Sequence, residues 1–360
     1  MTHKKLRVGV LFGGKSAEHE ISLVSAKNII ETLDKNKYDV VLIGIDKQGS
    51  WRLQQAGSYL LNETTPSSIA LTESKEIAPL TPSQDNPLQL DVIFPVLHGP
   101  YGEDGSVQGF LKLANVPFVG ADILGSAIGM DKDITKRLLR DAGIPIAPFA
   151  VIYRHEKNGW SFERAEKAFG APFFIKPAGL GSSVGVAKVT SEEEFTQALD
   201  NAFLYDRKVL IEKFVRGREL VCAVLGNEHP IASLPGEIVP HHAFYSYAAK
   251  YLDEKGATYH IPANISSECA SSIQKMSIQV YKTLCCEGMA RIDFFLSEKE
   301  ELFVNELNSI PGFTRFSTYP RLWEATGLPC SQLLDRLIEL ALLRHRAIAD
   351  LSSCVLFKDH

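Results

Sequence analysis

The first apolar run, Leu6 to Phe12, alternates little, as a strand buried on both faces of a parallel sheet does. Gly13-Gly14 then turns the chain, and Leu23, Ala26, Ile30 and Leu33 recur at helical spacing. Tyr38 to Ile45 and Val92 to Val96 read as two further buried strands, the second ending in His98-Gly99. Strand–helix alternation predicts a doubly wound, Rossmann-like α/β layer that ends near Val119-Gly120. Residues 62–90, rich in Thr, Ser, Pro and Gln, read as an irregular surface excursion from it.

Beyond that layer the pattern changes to α+β. A helical segment carries Met130-Asp131-Lys132 and then Thr135 to Ala142, with Gly143 placed to end it. Strands are predicted around Phe149 to Tyr153, Phe173 to Lys176 and Val209 to Phe214, with a helix from about Glu192 to Asn201. From Glu219 onward come a polar, aromatic loop (His241 to Gly256), a helix near Ile273 to Leu284, two adjacent strands and a helix around Leu333 to Arg344. The pattern divides into 1–122, 123–218 and 219–360, and the 360-residue length suits two or three domains.

Composition narrows the class. Apolar residues are 45% and charged residues 22% of the chain, ordinary for a globular protein, and a net charge of -5 gives no global electrostatic case for nucleic acid. The six cysteines form no C-x-x-C, which argues for buried thiols in a reducing compartment over a disulfide or zinc framework. MTHKKLRVGV passes directly into a strand, and no apolar run is long enough to span a membrane; a cytoplasmic protein without membrane contact is expected.

Gly9 to Ser16, GVLFGGKS, matches the phosphate-binding pattern G-x-x-x-x-G-K-S. Gly9 falls inside the strand, however, so the remaining loop is too short to wrap a triphosphate. At a strand-to-helix junction, Gly13 to Ser16 could still offer backbone donors to a carboxylate, with Glu18 beside them for an ammonium. The plainer alternative is that Glu18 complements the helix N-terminus.

Phosphate chemistry is better placed at Gly179 to Gly185, where glycines permit close backbone approach and Ser182-Ser183 add hydroxyls. Lys176 at the preceding strand end and Lys132 are point charges for phosphate. Leu210 to Phe214 reads either as an edge strand with Glu212 and Lys213 in solvent or as the wall of an adenine slot. Glu219 is a candidate ribose acceptor.

Met289 to Leu296 and Glu301 to Asn308 read as a hairpin. Period two puts Arg291 and Asp293 on one face, and Val304, Glu306 and Asn308 together on a face of the second strand. A turn centred between Lys299 and Glu300 sets Asp293 opposite Glu306 and Arg291 opposite Asn308. Opposed carboxylates need a positive partner. Hard oxygen donors without imidazole or thiolate favour magnesium, with Arg291 screening a solvated face as the alternative. The second strand runs into Ser309-Ile310-Pro311-Gly312, a turn with backbone N–H groups beside the proposed metal.

The segments GGKSAEHEISL, LHG..GEDGS.QG, MDK, KP..LGSSVG, IEKFV.GRE, FYSYAAKYLD, ARIDFF and NELNSIPGFT, in this order from Val8 to about Leu342, resemble the D-alanine–D-alanine ligases of the ATP-grasp superfamily. The resemblance implies an ATP-grasp fold of two α+β subdomains after the first layer, and ATP-dependent joining of two D-alanines through an acyl phosphate for peptidoglycan synthesis. It implies that Lys132, Lys176, Gly181, Ser183, Glu212, Lys213, Val215, Glu219 and Lys250 bind ATP. Asp293, Glu306 and Asn308 are implied to hold magnesium, with manganese as an alternative. Glu18, His98, Ser182, Arg291, Gly312 and Ser317 would serve the two D-alanines, with Lys250 and Tyr251 on a closing loop. A homodimer is implied as well.

Departures stand at Ala248, where many relatives have an acidic residue, and at Leu307 and Ser309. The residues assign no general base for the amine; Tyr251 with Ser182 could orient or relay its proton. D-lactate as acceptor is a second reading, which the Lys250-Tyr251 pair disfavours. A nucleotide-binding regulator without catalysis is a third, which the complete set Asp293, Glu306, Asn308, Arg291 and Lys176 disfavours.

Overall fold

The computed structural model describes residues 4–54, 88–241 and 256–351. Three sheets carry the chain. The first orders its strands β3-β2-β1-β4, from β1 (Leu6–Gly13), β2 (Tyr38–Ile45), β3 (Trp51–Gln54) and β4 (Val92–Leu97). β1 is parallel to β2 and β4, and β3 is an antiparallel edge. Helix α1 (His19–Thr32) packs on this sheet through Leu23, Ala26, Ile29 and Ile30, and α2 (Ser106–Leu113) follows β4. Gly9 lies in β1, where a Cβ would come within 2.9 Å of the Leu90 side chain; its glycine serves packing. Most of the 62–90 excursion lies outside the described residues.

Two helices, α3 (Ile123–Met130) and α4 (Lys132–Asp141), lead to the second sheet. Asp131 caps α4 by accepting from the Asp133 and Ile134 amides, and Gly143 just beyond its end has a φ of 71°, the left-handed stop its position predicts. The second sheet is antiparallel in the order β5-β8-β6-β7: β5 (Phe149–Tyr153), β6 (Phe173–Pro177), β7 (Ala187–Val189) and β8 (Lys208–Lys213). Helices α5 (Phe162–Phe169) and α6 (Glu192–Tyr205) close its core around Phe173, Phe195 and Phe203. β8 is internal, so the edge-strand reading of Leu210 to Phe214 is excluded.

The third sheet comprises β9 (Gly217–Gly226), β10 (Ile231–Ala232), β11 (Gly236–Pro240), β12 (Ala257–His260), β13 (Gly288–Ser297) and β14 (Leu302–Asn308), in the path β12-β11-β9-β13-β14 with β10 beside β9. β9 is buried on both faces. Leu220, Cys222 and Val224 join a core with Ile273 and Tyr281 of α7 (Ser267–Thr283) and with Ile292 and Val304. Val221, Ala223 and Leu225 join a second core with α8 (Thr318–Ala325), α9 (Cys330–Ala349) and Val8 and Phe94 of the first sheet. First and third sheets therefore share one core.

Candidate active site

The hairpin β13–β14 places Asp293 opposite Glu306 and Arg291 opposite Asn308, as the strand parity predicts. The route differs. The register shifts beyond Asp293, where Phe294 pairs with Val304 and Asn305 is left as the extra residue of a bulge. Val304 is consequently not on the face of Glu306 and Asn308. It packs into the α7 core with Ile292 and Leu307, while Asn305, Glu306 and Asn308 line cavities.

Arg291 forks onto Asp293, with Nε to Oδ1 and Nη2 to Oδ2 both 2.7 Å, and Asn308 Nδ2 donates to Asp293 Oδ2 at 3.3 Å. The Arg291 and Asp293 side chains are only 20% and 15% exposed, which removes the solvated-face alternative. Two carboxylates and an amide on one cavity wall are a hard-oxygen donor set that fits magnesium. The described residues contain no group of three or more His, Cys, Asp or Glu poised for a metal.

A cleft between the second and third sheets gathers the residues implied for ATP. Lys132, Lys176, Gly181, Ser183, Glu212, Lys213, Val215 and Glu219 all line it. Lys132 Nζ donates to the Leu180 carbonyl at 2.5 Å and lies 3.8 Å from Glu306 Oε2, joining the glycine-rich loop to the acidic hairpin. The loop itself is anchored where the Gly179 amide donates to Asp206 Oδ2 at 2.7 Å. Ser182 and Ser183 both adopt left-handed φ, 52° and 59°, which turns consecutive serines toward the cleft. Glu212 lines the cleft from a buried position. Its side chain is 1% exposed and sits between Lys176 Nζ at 2.5 Å and Lys136 Nζ at 2.6 Å. Burial alone would raise its pKa, but the two ammonium groups outweigh it and hold the carboxyl down to about 2.

A second cavity brings together Glu18, His98, Ser182, Arg291, Asp293, Glu306, Asn308, Gly312 and Ser317. Glu18 makes no side-chain cap on α1; its Oε1 accepts a short hydrogen bond from the Ser182 hydroxyl. Glu18 stands at the N-cap position of α1, where its charge suits the helix N-terminus, and its side chain also lines the cavity. Two of the Gly13 to Ser16 amides are already engaged elsewhere. The Gly13 amide is taken by Ser22 Oγ and the Gly14 amide by the Ile45 carbonyl, and these glycines line a different, apolar pocket with Trp51 and Phe110.

His98 is 6% exposed, and burial keeps its pKa below the ordinary value, so the ring is neutral near pH 7; Nε2 has no hydrogen-bond partner among the described residues. A buried, orphaned ring nitrogen fits a substrate polar group. A Cβ at Gly312 would stand 2.8 Å from Ser317 Oγ, so that hydroxyl would have to move. The neighbouring Phe313 fills the shared core edge-on to Phe94, and Asn28 and Ser25 of α1 bind the Phe313 backbone at 2.8 and 3.2 Å. The first sheet's helix thereby positions a turn of the third unit.

Three residues at these sites went unread in the sequence. Glu103 lines the second cavity and accepts from the Gly99 amide at 2.7 Å; burial, reinforced by the Glu18 charge, pushes its pKa up to about 8. Its place in the GEDGS segment was the available signal. Asn305 was hidden by the bulge. Lys136, one helical turn from Lys132, left only that spacing as a signal. Lys250, Tyr251 and Ala248 lie outside the described residues.

The two cavities share Gly181, Ser182, Glu219, Phe295, Asn305 and Glu306. One end can hold a polyphosphate among lysines and the other a small zwitterion between Glu18 and Arg291, with carboxylates at the junction. Two family models match the chain, "D-ala D-ala ligase N-terminus" over residues 7–121 and "D-ala D-ala ligase C-terminus" over 138–339. The chain is 53% identical over 355 residues to the D-alanine–D-alanine ligase A of Escherichia coli O6:H1, covering 96% of this chain and 98% of that protein. Among solved structures it is similar to the D-alanine–D-alanine ligase of Coxiella burnetii, with a TM-score of 0.81, 39% identity and 96% and 97% of the two chains covered. It is also similar to the VanG D-Ala:D-Ser ligase of Enterococcus faecalis, with a TM-score of 0.82, 35% identity and 94% and 100% covered.

Proposed function

The chain belongs to the D-alanine–D-alanine ligase family, and from that premise we propose how its residues divide the work of joining two D-alanines. It is an ATP-dependent ligase of the ATP-grasp fold, forming D-alanyl-D-alanine for peptidoglycan precursors. We assign residues 1–122 to the first substrate's domain, and 123–218 and 219–360 to the two ATP-grasp subdomains.

Lys132, Lys176 and the amides of Gly181 and Ser183 bind the phosphates, Lys213 and Val215 with the Glu212 backbone face the base, and Glu219 takes the ribose. Glu18, held by Ser182, binds the first D-alanine's ammonium. The carboxylate oxygen of that D-alanine attacks the γ-phosphorus, ADP leaves, and a D-alanyl phosphate forms. The second D-alanine's amine then attacks the acyl carbon, phosphate leaves, and the nitrogen gives up a proton for which the residues assign no base. Arg291 and the Gly312 amide are the donors assigned to the developing oxyanion. His98 and Ser317 orient the substrate carboxylates. Asp293, Glu306 and Asn308 would hold magnesium, which neutralises phosphate charge when bound.

The observation that carries this reading is the shared wall. Ser182 and Glu306 belong to both cavities, so the γ-phosphate and the carboxylate meet there. The test is ADP release across D- and L-amino acids and D-hydroxy acids, with D-serine and D-lactate among the acceptors. Release with D-alanine and magnesium supports the reading; release only with another acceptor overturns the substrate assignment. No helix among the described residues is long and apolar enough to cross a membrane. We place the enzyme in the cytoplasm with its ATP, as a homodimer, which sedimentation tests.

A further inference from the structure

The lysine that faces phosphate does not stand alone. Lys176 Nζ touches Glu212 Oε1, and the other oxygen of the same carboxylate, Oε2, touches Lys136 Nζ. Lys136 is 1% exposed, projects from α4 one turn after Lys132, and lines neither cavity. Among the described residues Glu212 is its only ion-pair partner, and its ammonium lies 5.8 Å from the centre of the Phe149 ring.

Placing a long cationic side chain in a core is costly unless the charge is compensated and used. With Lys136 present, the triad carries two positive charges against one negative, a net charge of plus one at the phosphate end of the cleft. Without it, Glu212 would cancel Lys176 and the triad would present no net charge. Glu212 would also be free to draw Lys176 away from phosphate, since a carboxylate held from one side only pulls harder on the remaining partner.

We propose that Lys136 is a positioning residue for the nucleotide: by neutralising Glu212 from behind, it leaves the charge and direction of Lys176 available to the transferring phosphate. This inference rests on the ATP reading above. Lys136 touches no substrate and acts only through Glu212. The two sides of the cleft are then set from one helix, Lys132 gripping the glycine-rich loop and Lys136 the strand that carries Glu212.

The test is charge balance. Lys136→Met raises the KM for ATP about tenfold, as loss of one close charge in a partly buried site should, and leaves the KM for D-alanine unchanged. Adding Glu212→Gln removes the unbalanced carboxylate and returns the KM for ATP most of the way to the parent value. Lys136→Arg keeps the parent behaviour. An unchanged KM for ATP in Lys136→Met, or a double variant as weak as the single, overturns the proposal. Should Lys136→Met fail to fold, Glu212→Gln alone supplies the answer: buried Lys136, without its carboxylate, sheds its proton, Lys176 keeps its charge and the KM for ATP stays near the parent value, whereas a severalfold change refutes the charge argument. If the parent enzyme releases no ADP with D-alanine, the ATP-ligase reading fails; if it does and the rescue is absent, only the role of Lys136 fails.

Discussion

Asp293 and Glu306 stand directly opposite each other on β13 and β14, and both line the cavity that Glu18, His98 and Arg291 enter. Two carboxylates so placed repel unless cations offset them; Arg291 forks onto Asp293, and Lys132 lies 3.8 Å from Glu306. Glu306→Gln and Asp293→Asn should each lower kcat by about two orders of magnitude or more, as loss of a metal's grip on a transferring phosphate does. Titrating magnesium in a coupled ADP assay checks the cause. The variants should need more metal for half-maximal rate; an unchanged metal requirement would mean that the pair is structural.

Glu18 and Ser182 should separate the substrates. Their hydrogen bond spans the first layer and the glycine-rich loop. Glu18→Gln or Ser182→Ala should raise the KM for D-alanine by about tenfold, the usual worth of a hydrogen bond to a charged group, with little change for ATP. Initial rates with each substrate varied in turn give the answer, and a rise confined to ATP would move Glu18 out of the amino-acid site.

Gly312 is constrained by contact. A Cβ at that position would press on Ser317 Oγ, which also accepts from the Thr314 amide at 2.9 Å. Gly312→Ala should therefore impair D-alanine binding, and Ser317→Ala in the same chain should not worsen it further, because both changes act on one contact. A double-variant cycle on kcat/KM reads this; additive losses would show that the two residues act separately.

Glu103 predicts a pH dependence of stability. Its carboxyl is raised from 4.5 to about 8 in the folded chain, so between those values the folded state binds more protons than the unfolded one. Stability contributed by the protonated group is then present below about pH 4.5 and is lost as pH rises through about 8. Glu103→Gln should flatten that decline in Tm over this window, measured on the ligand-free enzyme. A parallel decline in parent and variant would exclude Glu103 as its source.

Much of the fold was legible because its strands are apolar and its helices periodic. Leu6 to Phe12, Tyr38 to Ile45 and the β13–β14 hairpin are read from pattern alone. What escaped was short or set by tertiary contact. β7, β10 and β12 span three, two and four residues, too few for a period to show. α8 carries Pro320 in its first turn, a position a helix tolerates but a pattern search discounts. The site shows the same division. Asp293 and Glu306 follow from parity, yet the parity of Val304 fails, because one extra residue at Asn305 changes face without changing composition. Gly13 to Ser16 look like an anion loop in sequence; only the structure shows Ser22 and the Ile45 carbonyl occupying the Gly13 and Gly14 amides.

The central claim is that the carboxylate bound at Glu18 attacks the phosphate held at Lys132 and Lys176 across the wall that Ser182 and Glu306 share. D-alanine labelled with 18O in its carboxylate tests it directly. If a D-alanyl phosphate forms and the second amine displaces phosphate from it, one labelled oxygen per turnover appears in inorganic phosphate, read by mass or by the 31P isotope shift. Phosphate carrying no label, with peptide still formed, would contradict the account.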